Sequence, residues 1–224
     1  MNFTQITKVF LLAPVLLVFT GCKDIKEGGS DEGVIEFVTS PVNKSDPLFE
    51  LAPSKATMKF KKDKFLVQMS VMGIFNTSLF SDSKAKTLTQ TVKFMNIRQY
   101  CVENATDLEA ENKANALSFE ETGETKKIAG LKCYRLKVTN LSAPGETFDA
   151  WYTRELGNPD CNVLTPYAPV KGVMMDYRIK KMGLEMHFVA SKFSNEQVPD
   201  ETFRVTENLK EVSREEMSKL FAEL

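Results

Sequence analysis

Along most of this chain, apolar and polar residues take turns one by one. Val34-Ile35-Glu36-Phe37-Val38 opens the pattern as a strand. After a loop punctuated by Pro41, Pro47 and Pro53, it resumes in Ala56-Thr57-Met58-Lys59-Phe60. Lys61-Lys62-Asp63-Lys64 makes a turn, beyond which Phe65, Val67, Met69 and Val71 alternate with Leu66, Gln68 and Ser70. Alternation with a period of two marks strands that bury one face. Gly73 marks a bulge or bend. Ile74–Phe80 and Lys86–Phe94, on either side of the turn Ser81-Asp82-Ser83, extend the series, as do Asn96–Val102, Leu117–Glu121 and Leu131–Thr139. The period changes in two places. Thr106-Asp107-Leu108-Glu109 has capping-box spacing and predicts a short helix to about Asn115. Ser213-Arg214-Glu215-Glu216 repeats that spacing, and Met217, Leu220, Phe221 and Leu224 follow at i, i+3, i+4 and i+7. They predict an amphipathic helix that docks on the sheet.

Two hairpins can be aligned from the residues alone. With Val138 opposite Phe148, Leu136 meets Ala150 and Tyr134 meets Tyr152 on an apolar face. Lys137 then meets Asp149 and Arg135 meets Trp151 on the other, an opposite-charge pair beside a cation–π pair. Leu141–Gly145 is the loop, with turn chemistry in Pro144-Gly145. In the second hairpin, Gly172–Ile179 faces Leu184–Phe193 around Lys180-Lys181-Met182-Gly183. Placing Ile179 opposite Leu184 sets Tyr177 against Met186, Met175 against Phe188 and Asp176 against His187. A slip of one residue would set apolar against polar throughout.

Val9–Phe19 is an uncharged apolar run of eleven residues behind Lys8. A membrane-spanning helix needs about 20 residues, so the run reads as the core of a secretory signal. Its ending, Thr20-Gly21-Cys22, resembles a bacterial lipobox, which implies cleavage after residue 21 and lipid on Cys22. The polar, glycine-rich stretch 22–33 is then a flexible, lipidated tether, and residues 34–224 form the folded domain. Lys23 occupies the position where aspartate often retains lipoproteins at the inner membrane, which implies the outer membrane. Lys23-Asp24 and the acidic residues behind it resemble surface-export signals, so the anchored body faces the periplasm or the cell surface.

Removing residues 1–21 from the 224 leaves 203, a length suited to one domain. Apolar residues make up 42% of the chain, enough for a real core. Only Lys8 is lost with the leader, so the remaining 28 basic and 30 acidic side chains give a net charge of −2. With no long basic stripe, nucleic-acid binding has no electrostatic support.

Cys101, Cys133 and Cys161 remain after Cys22, and three thiols allow one bridge in any of three pairings. No CxxC occurs and His187 is the single histidine, which argues against zinc. His187 and Asp176 resemble half of a catalytic relay, but no nucleophile motif accompanies them. Met174, Met175, Met182 and Met186 flank that histidine, a soft donor set that suits Cu(I). Met175 and Met186 belong to the apolar face, however, so the methionines read as core. The expectation is a non-catalytic protein with no cofactor and no metal.

Lys127-Ile128-Ala129-Gly130-Leu131-Lys132-Cys133 resembles the IAGYKC core of DUF4412-type lipoproteins. Trp151–Leu156 resembles the WYT strand of that family, and Val198–Phe203 its closing segment. The resemblance covers roughly Ile128–Phe203 and leaves Gly157–Pro169 unaccounted for. It implies a fold like the periplasmic lipoprotein-carrier (LolA-like) superfamily. The expected class is mainly β (α+β): a single strongly curved antiparallel sheet, an unclosed barrel, with a short C-terminal helix and few others. The related motif often carries Cys133 alone, which implies Cys101 with Cys161 as the bridge. Such a sheet presents a concave apolar face. Ten methionines and sixteen phenylalanines suit an adaptable apolar surface there. The predicted lining for a lipid or other hydrophobic ligand is Phe65, Val67, Met69, Val71, Met175, Tyr177, Met186 and Phe188. The alternative is a filled concavity that serves as a docking surface for an envelope protein.

Overall fold

The alternating stretches become strands that pair, one after another, with their neighbours in the chain. The computed structural model describes residues 29–46, 48–143, 145–158, 160–181 and 183–223. The predicted leader, Cys22 and residues 22–28 of the tether lie outside the described residues, as do Pro144, Met182 and Leu224.

The strands are β1 (Glu32–Pro41), β2 (Lys55–Lys61), β3 (Lys64–Val71), β4 (Phe75–Asp82), β5 (Thr87–Phe94) and β6 (Ile97–Glu103). After them come β7 (Leu117–Ile128), β8 (Leu131–Asn140), β9 (Thr147–Thr153), β10 (Val173–Lys181), β11 (Leu184–Ser194) and the short β12 (Lys210–Glu211). Helix α1 (Ala105–Ala114) follows β6, and α2 (Arg214–Glu223) follows β12. All twelve strands join one curved, unclosed sheet in the order β12-β6-β5-β4-β3-β2-β1-β11-β10-β9-β8-β7. Every pairing is antiparallel except β12 with β6. The expected fold class holds. No described helix is long and apolar enough to cross a membrane.

The main core follows the inward alternation: Ile35 and Phe37 of β1, Met58 and Phe60 of β2, Phe65 and Val67 of β3, Met186 and Phe188 of β11. A second cluster holds Leu136, Val138, Phe148, Ala150 and Tyr152 with Tyr167. Helix α2 closes a third, seating Met217 against Phe75, Val92 and Cys101, with Leu220 and Phe221 beside them. Its predicted capping box is present: Ser213 Oγ accepts from the Glu216 N–H, and the Glu216 carboxylate accepts from the Ser213 N–H. Between β11 and β12 the chain straps the outer face of the sheet. Lys61 donates to the Val198 carbonyl and pairs with Asp200, and Lys93 and Arg98 pair with Glu207.

The β8–β9 hairpin has the predicted register at every pair. The cation over Trp151, however, is Lys126 of β7, 4.2 Å from the ring centre, while Arg135 binds Asp149 and Glu124. The second hairpin differs by two residues: Ile179 faces Met186, Tyr177 faces Phe188, and Asp176 faces Val189 rather than His187. The strands run on through Lys181 and Leu184, leaving a two-residue turn. Gly183 adopts φ +83° in that turn, a left-handed conformation that glycine takes freely. A shift of two preserves which face each side chain takes, so the apolar set stays inward.

Other boundaries move for local reasons. Strand β4 continues through Asp82, whose carboxylate accepts from the Ala85 N–H and shifts the turn to residues 83–86. The cap of α1 is Asn104 rather than Thr106: its side chain accepts from the Thr106 and Asp107 N–H groups, and Asp107 accepts from the Asn104 N–H. Strand β7 extends past Glu121 to Ile128 through polar residues that bear no alternation. The fold also starts ahead of residue 34. Ser30 bridges to Leu156, and a Cβ on Gly29 would stand 2.6 Å from the Glu155 carbonyl oxygen. Only glycine allows that approach.

The expected Cys101–Cys161 bridge is not formed. Cys101, Cys133 and Cys161 are buried free thiols, with Cys101 under α2 and Cys161 in the main core. Burial pushes the Cys101 and Cys133 thiols up to about 11 and that of Cys161 up to about 12.

Candidate ligand cavity

A sheet this curved leaves a hollow on its inner side, and three pieces of chain roof it. Helix α1 contributes Leu108, its one buried side chain. The segment 160–170, which sequence patterns leave unassigned, contributes Leu164, Tyr167 and Cys161. The loop after β1 adds Leu48 and Pro53, and Phe221 of α2 touches one side. The segment 160–170 holds its place through a few specific bonds. The Asn162 amide donates to the Val170 and Gly172 carbonyls at 2.9 and 2.7 Å, and the Tyr167 hydroxyl donates to the Arg178 carbonyl at 2.6 Å.

Beneath this roof is a mostly apolar cavity of about 170 Å³. Six of the eight predicted lining residues stand on its wall: Phe65, Val67, Met69, Tyr177, Met186 and Phe188. Val71 packs instead against the cluster under α2, and Met175 is fully buried in the main core. Tyr177 stacks on Phe188 at 5.2 Å and meets Tyr167 edge-on at 5.8 Å, which makes one wall aromatic. Burial raises the Tyr177 and Tyr167 hydroxyls well above the ordinary tyrosine value, so both stay neutral.

Sequence reasoning missed Met58, Leu79, Leu88, Gln90 and Ile179 on the floor, and the whole roof. Leu79 and Leu88 occupy inward alternation positions and were legible in principle. Gln90 carried its own signal, a polar residue at an inward position between Leu88 and Val92. It is 3% exposed.

At the rim, four charges form one cluster. Glu103, fully buried on β6, accepts from Lys181 at 2.7 Å and from Arg214 at 2.9 Å. Glu111 of α1 accepts from the same two side chains, each at 2.8 Å. Lys181 stands at the tip of the β10–β11 hairpin, seven places from β6 in the sheet order. The cluster therefore spans the open side of the hollow and ties both helices to it.

The Asp176–His187 pair forms despite the shifted register, Nε2 to Oδ1 at 2.8 Å. Lys126 also reaches Asp176, at 3.3 Å. Burial alone pushes the Asp176 carboxyl up, but these two partners outweigh it and hold it below the ordinary carboxylate value. His187 makes no second side-chain hydrogen bond among the described residues. Met174 packs in the second cluster, while Met175 and Met186 are in the main core. A larger depression of about 710 Å³, of mixed polar and apolar lining, lies on the outer face between β2–β5 and the strap at residues 201–209. Lysine, threonine, serine and amide side chains line it together with Leu66, Phe80, Val205 and Leu209, and Lys93 and Glu207 there are already paired.

The solved structure of PNGF-II aligns with this chain at a TM-score of 0.54 and 16% identity, over 86% of this chain and 33% of that one. The chain spans about a third of that protein's length, and at this identity the likeness shows the fold alone. Two structures of MucB, one in complex with MucA(peri), align at 12% identity with TM-scores of 0.34 and 0.32. They cover 84% and 83% of this chain and 59% and 62% of their own, and scores this low carry no argument. No family model and no curated protein matches the chain. The resemblance to DUF4412-type lipoproteins therefore rests on its quoted motifs.

Proposed function

We propose that this chain is a non-catalytic binding module of the bacterial envelope that holds a small hydrophobic molecule in the roofed cavity. Lipid on Cys22 would carry it on the outer membrane, facing the periplasm or the cell surface. The observation that carries the reading is the cavity itself, an apolar space left in an otherwise close-packed hollow. Protein interiors ordinarily leave few voids larger than a water molecule. At about 170 Å³ it is near the size of an engineered apolar cavity of about 150 Å³ that binds benzene. It is smaller than the roughly 300 Å³ at the lower end of pockets for larger ligands. The closed form therefore takes a ring or a short run of methylenes, and a full acyl chain needs the roof to lift. Lifting it means parting Leu108 and the Glu111 ion pairs of α1, or Cys161, Leu164 and Tyr167 of segment 160–170, from the clusters in which they are buried.

Organic extraction of the purified chain, followed by mass spectrometry and titration with a fluorescent hydrophobic probe, tests the reading. A recovered apolar ligand or saturable probe binding supports it; neither would sink it. Labelled palmitate incorporation, lost in Cys22→Ala, tests the anchor separately. The smallness of the cavity favours a second reading, an interaction lipoprotein whose filled hollow supports a docking face for another envelope protein. Failure of both the extraction and the probe titration would leave that reading standing.

A further inference from the structure

Among the described residues of the cavity wall, Gln90 alone holds a buried side-chain polar atom with no hydrogen-bond partner. It projects from the middle of β5 into the cavity, opposite Leu79 on β4 and Cys101 on β6. Leu88, Leu108 and Leu164 form the apolar cluster beside it. Its side-chain oxygen is buried and meets no hydrogen-bonding group among the described residues. Thr77 and Ser81 flank Leu79 on the same face of β4; the Thr77 hydroxyl donates to the Thr91 carbonyl at 2.9 Å, and the buried Ser81 hydroxyl, like the Gln90 oxygen, meets no hydrogen-bonding group among the described residues. A buried amide without a partner is destabilising, and an apolar residue of similar size would fill the same place without that penalty. A ligand that brings a hydrogen-bond donor to this point removes the penalty as it binds.

Building on the cavity reading above, we infer that the ligand is amphipathic: an apolar body about the size of one aromatic ring, with a neutral hydroxyl or amide that donates to Gln90 Oε1. The group is neutral because Gln90 supplies no charge to balance an ion. Of the two lysines on the cavity wall, Lys181 is bound to Glu103 and Glu111, and Lys180 is exposed to solvent on β10. A carboxylate placed at Gln90 would be desolvated without a counter-charge, which is strongly unfavourable. A site built around a hydrogen-bonding group discriminates against the analogue that lacks it, because the protein's own polar atom is then left unpaired.

Phenol and benzene form the matched pair for the test, since they differ by one hydroxyl. Binding of each to the unmodified chain is followed by NMR titration of methyl groups on the cavity wall. Phenol is expected to bind roughly tenfold more tightly, a difference of about 1.4 kcal/mol. In Gln90→Leu the preference should vanish, with phenol falling to the level of benzene. The ratio measured on the unmodified chain requires no variant, so a poorly folding Gln90→Leu does not remove the test. Equal binding of the two compounds to the unmodified chain overturns the assignment of Gln90 and leaves the cavity reading intact. A phenol preference that survives in folded Gln90→Leu overturns it as well. Binding of neither compound overturns both.

Discussion

The charge cluster at the rim offers a direct measure of how firmly the hollow is closed. Glu103 is fully buried and accepts from both Lys181 and Arg214, so Glu103→Gln keeps its volume while removing its charge. The new amide nitrogen would face one of the two cations, donor against donor. Removing one member of a buried ion pair typically costs about 3–5 kcal/mol. Here the penalty is smaller, because Lys181 and Arg214 retain Glu111 and are 17% and 33% exposed. Solvent screening at those side chains brings the expected loss to about 2–3 kcal/mol. A domain of this size shifts by about 2–4 °C per kcal/mol, so Tm should fall by about 5–10 °C. Urea unfolding of Glu103→Gln, Lys181→Met and the double variant would read the loss and the coupling. The expected coupling is at least about 1 kcal/mol. Loss below about 0.5 kcal/mol in Glu103→Gln, with coupling near zero, would refute the cluster as a clasp.

Other expectations follow from the same geometry. With the Cys101 and Cys133 thiols pushed up to about 11, about one in a thousand is ionised at pH 8, and Cys161 is lower still. Peptide mapping after iodoacetamide should find all three unmodified in the native chain and all three labelled in denaturant; a Cys101–Cys161 bridge would contradict this. The Asp176 carboxyl is held below its ordinary value, so its contribution is present above about pH 4 and lost as pH falls through the native value. Asp176→Asn should therefore be less stable at pH 7, with the gap to the natural chain closing in acid; a gap constant with pH would contradict the pairing. Ser213→Ala removes the cap of α2 and should destabilise by about 1 kcal/mol in the same urea assay, whereas an unchanged midpoint would show that the cap contributes nothing.

Much of the sheet was legible because alternation and local pairing carry the same information. The β8–β9 register follows from an apolar face and a charge face that agree with each other. The β10–β11 register was two residues off because the strands continue through charged Lys181, which seeks Glu103 in space rather than a partner in its own hairpin. The second half of β7 was invisible, since Thr122–Lys127 are exposed, the register shifts between Glu121 and Thr125, and backbone pairing to β8 resumes only at Thr125. The roof at 160–170 was invisible for a different reason. It has no period, and its order comes from side chains reaching carbonyls at Val170, Gly172 and Arg178. Six wall residues follow from alternation, and Gln90 is legible as a polar residue at an inward position, but that Leu108 and Leu164 enclose this part of the wall is seen only in the structure.

The strap over the outer face has a consequence for how the chain folds without sticking to its copies. Strand β6 is finished before α1 is synthesised, but its outer edge is covered only by Lys210 and Glu211, and the Tyr100–Glu211 bond joins residues 111 positions apart. Until that stretch docks, the edge of β6 has no partner and the cluster at Phe75, Val92 and Cys101 has no lid. An open edge next to a bare apolar cluster is where nascent chains pair wrongly with one another. The strap and α2 thus guard against self-association as well as completing the architecture. A chain truncated before residue 210 should self-associate on size-exclusion chromatography, whereas the full chain should not.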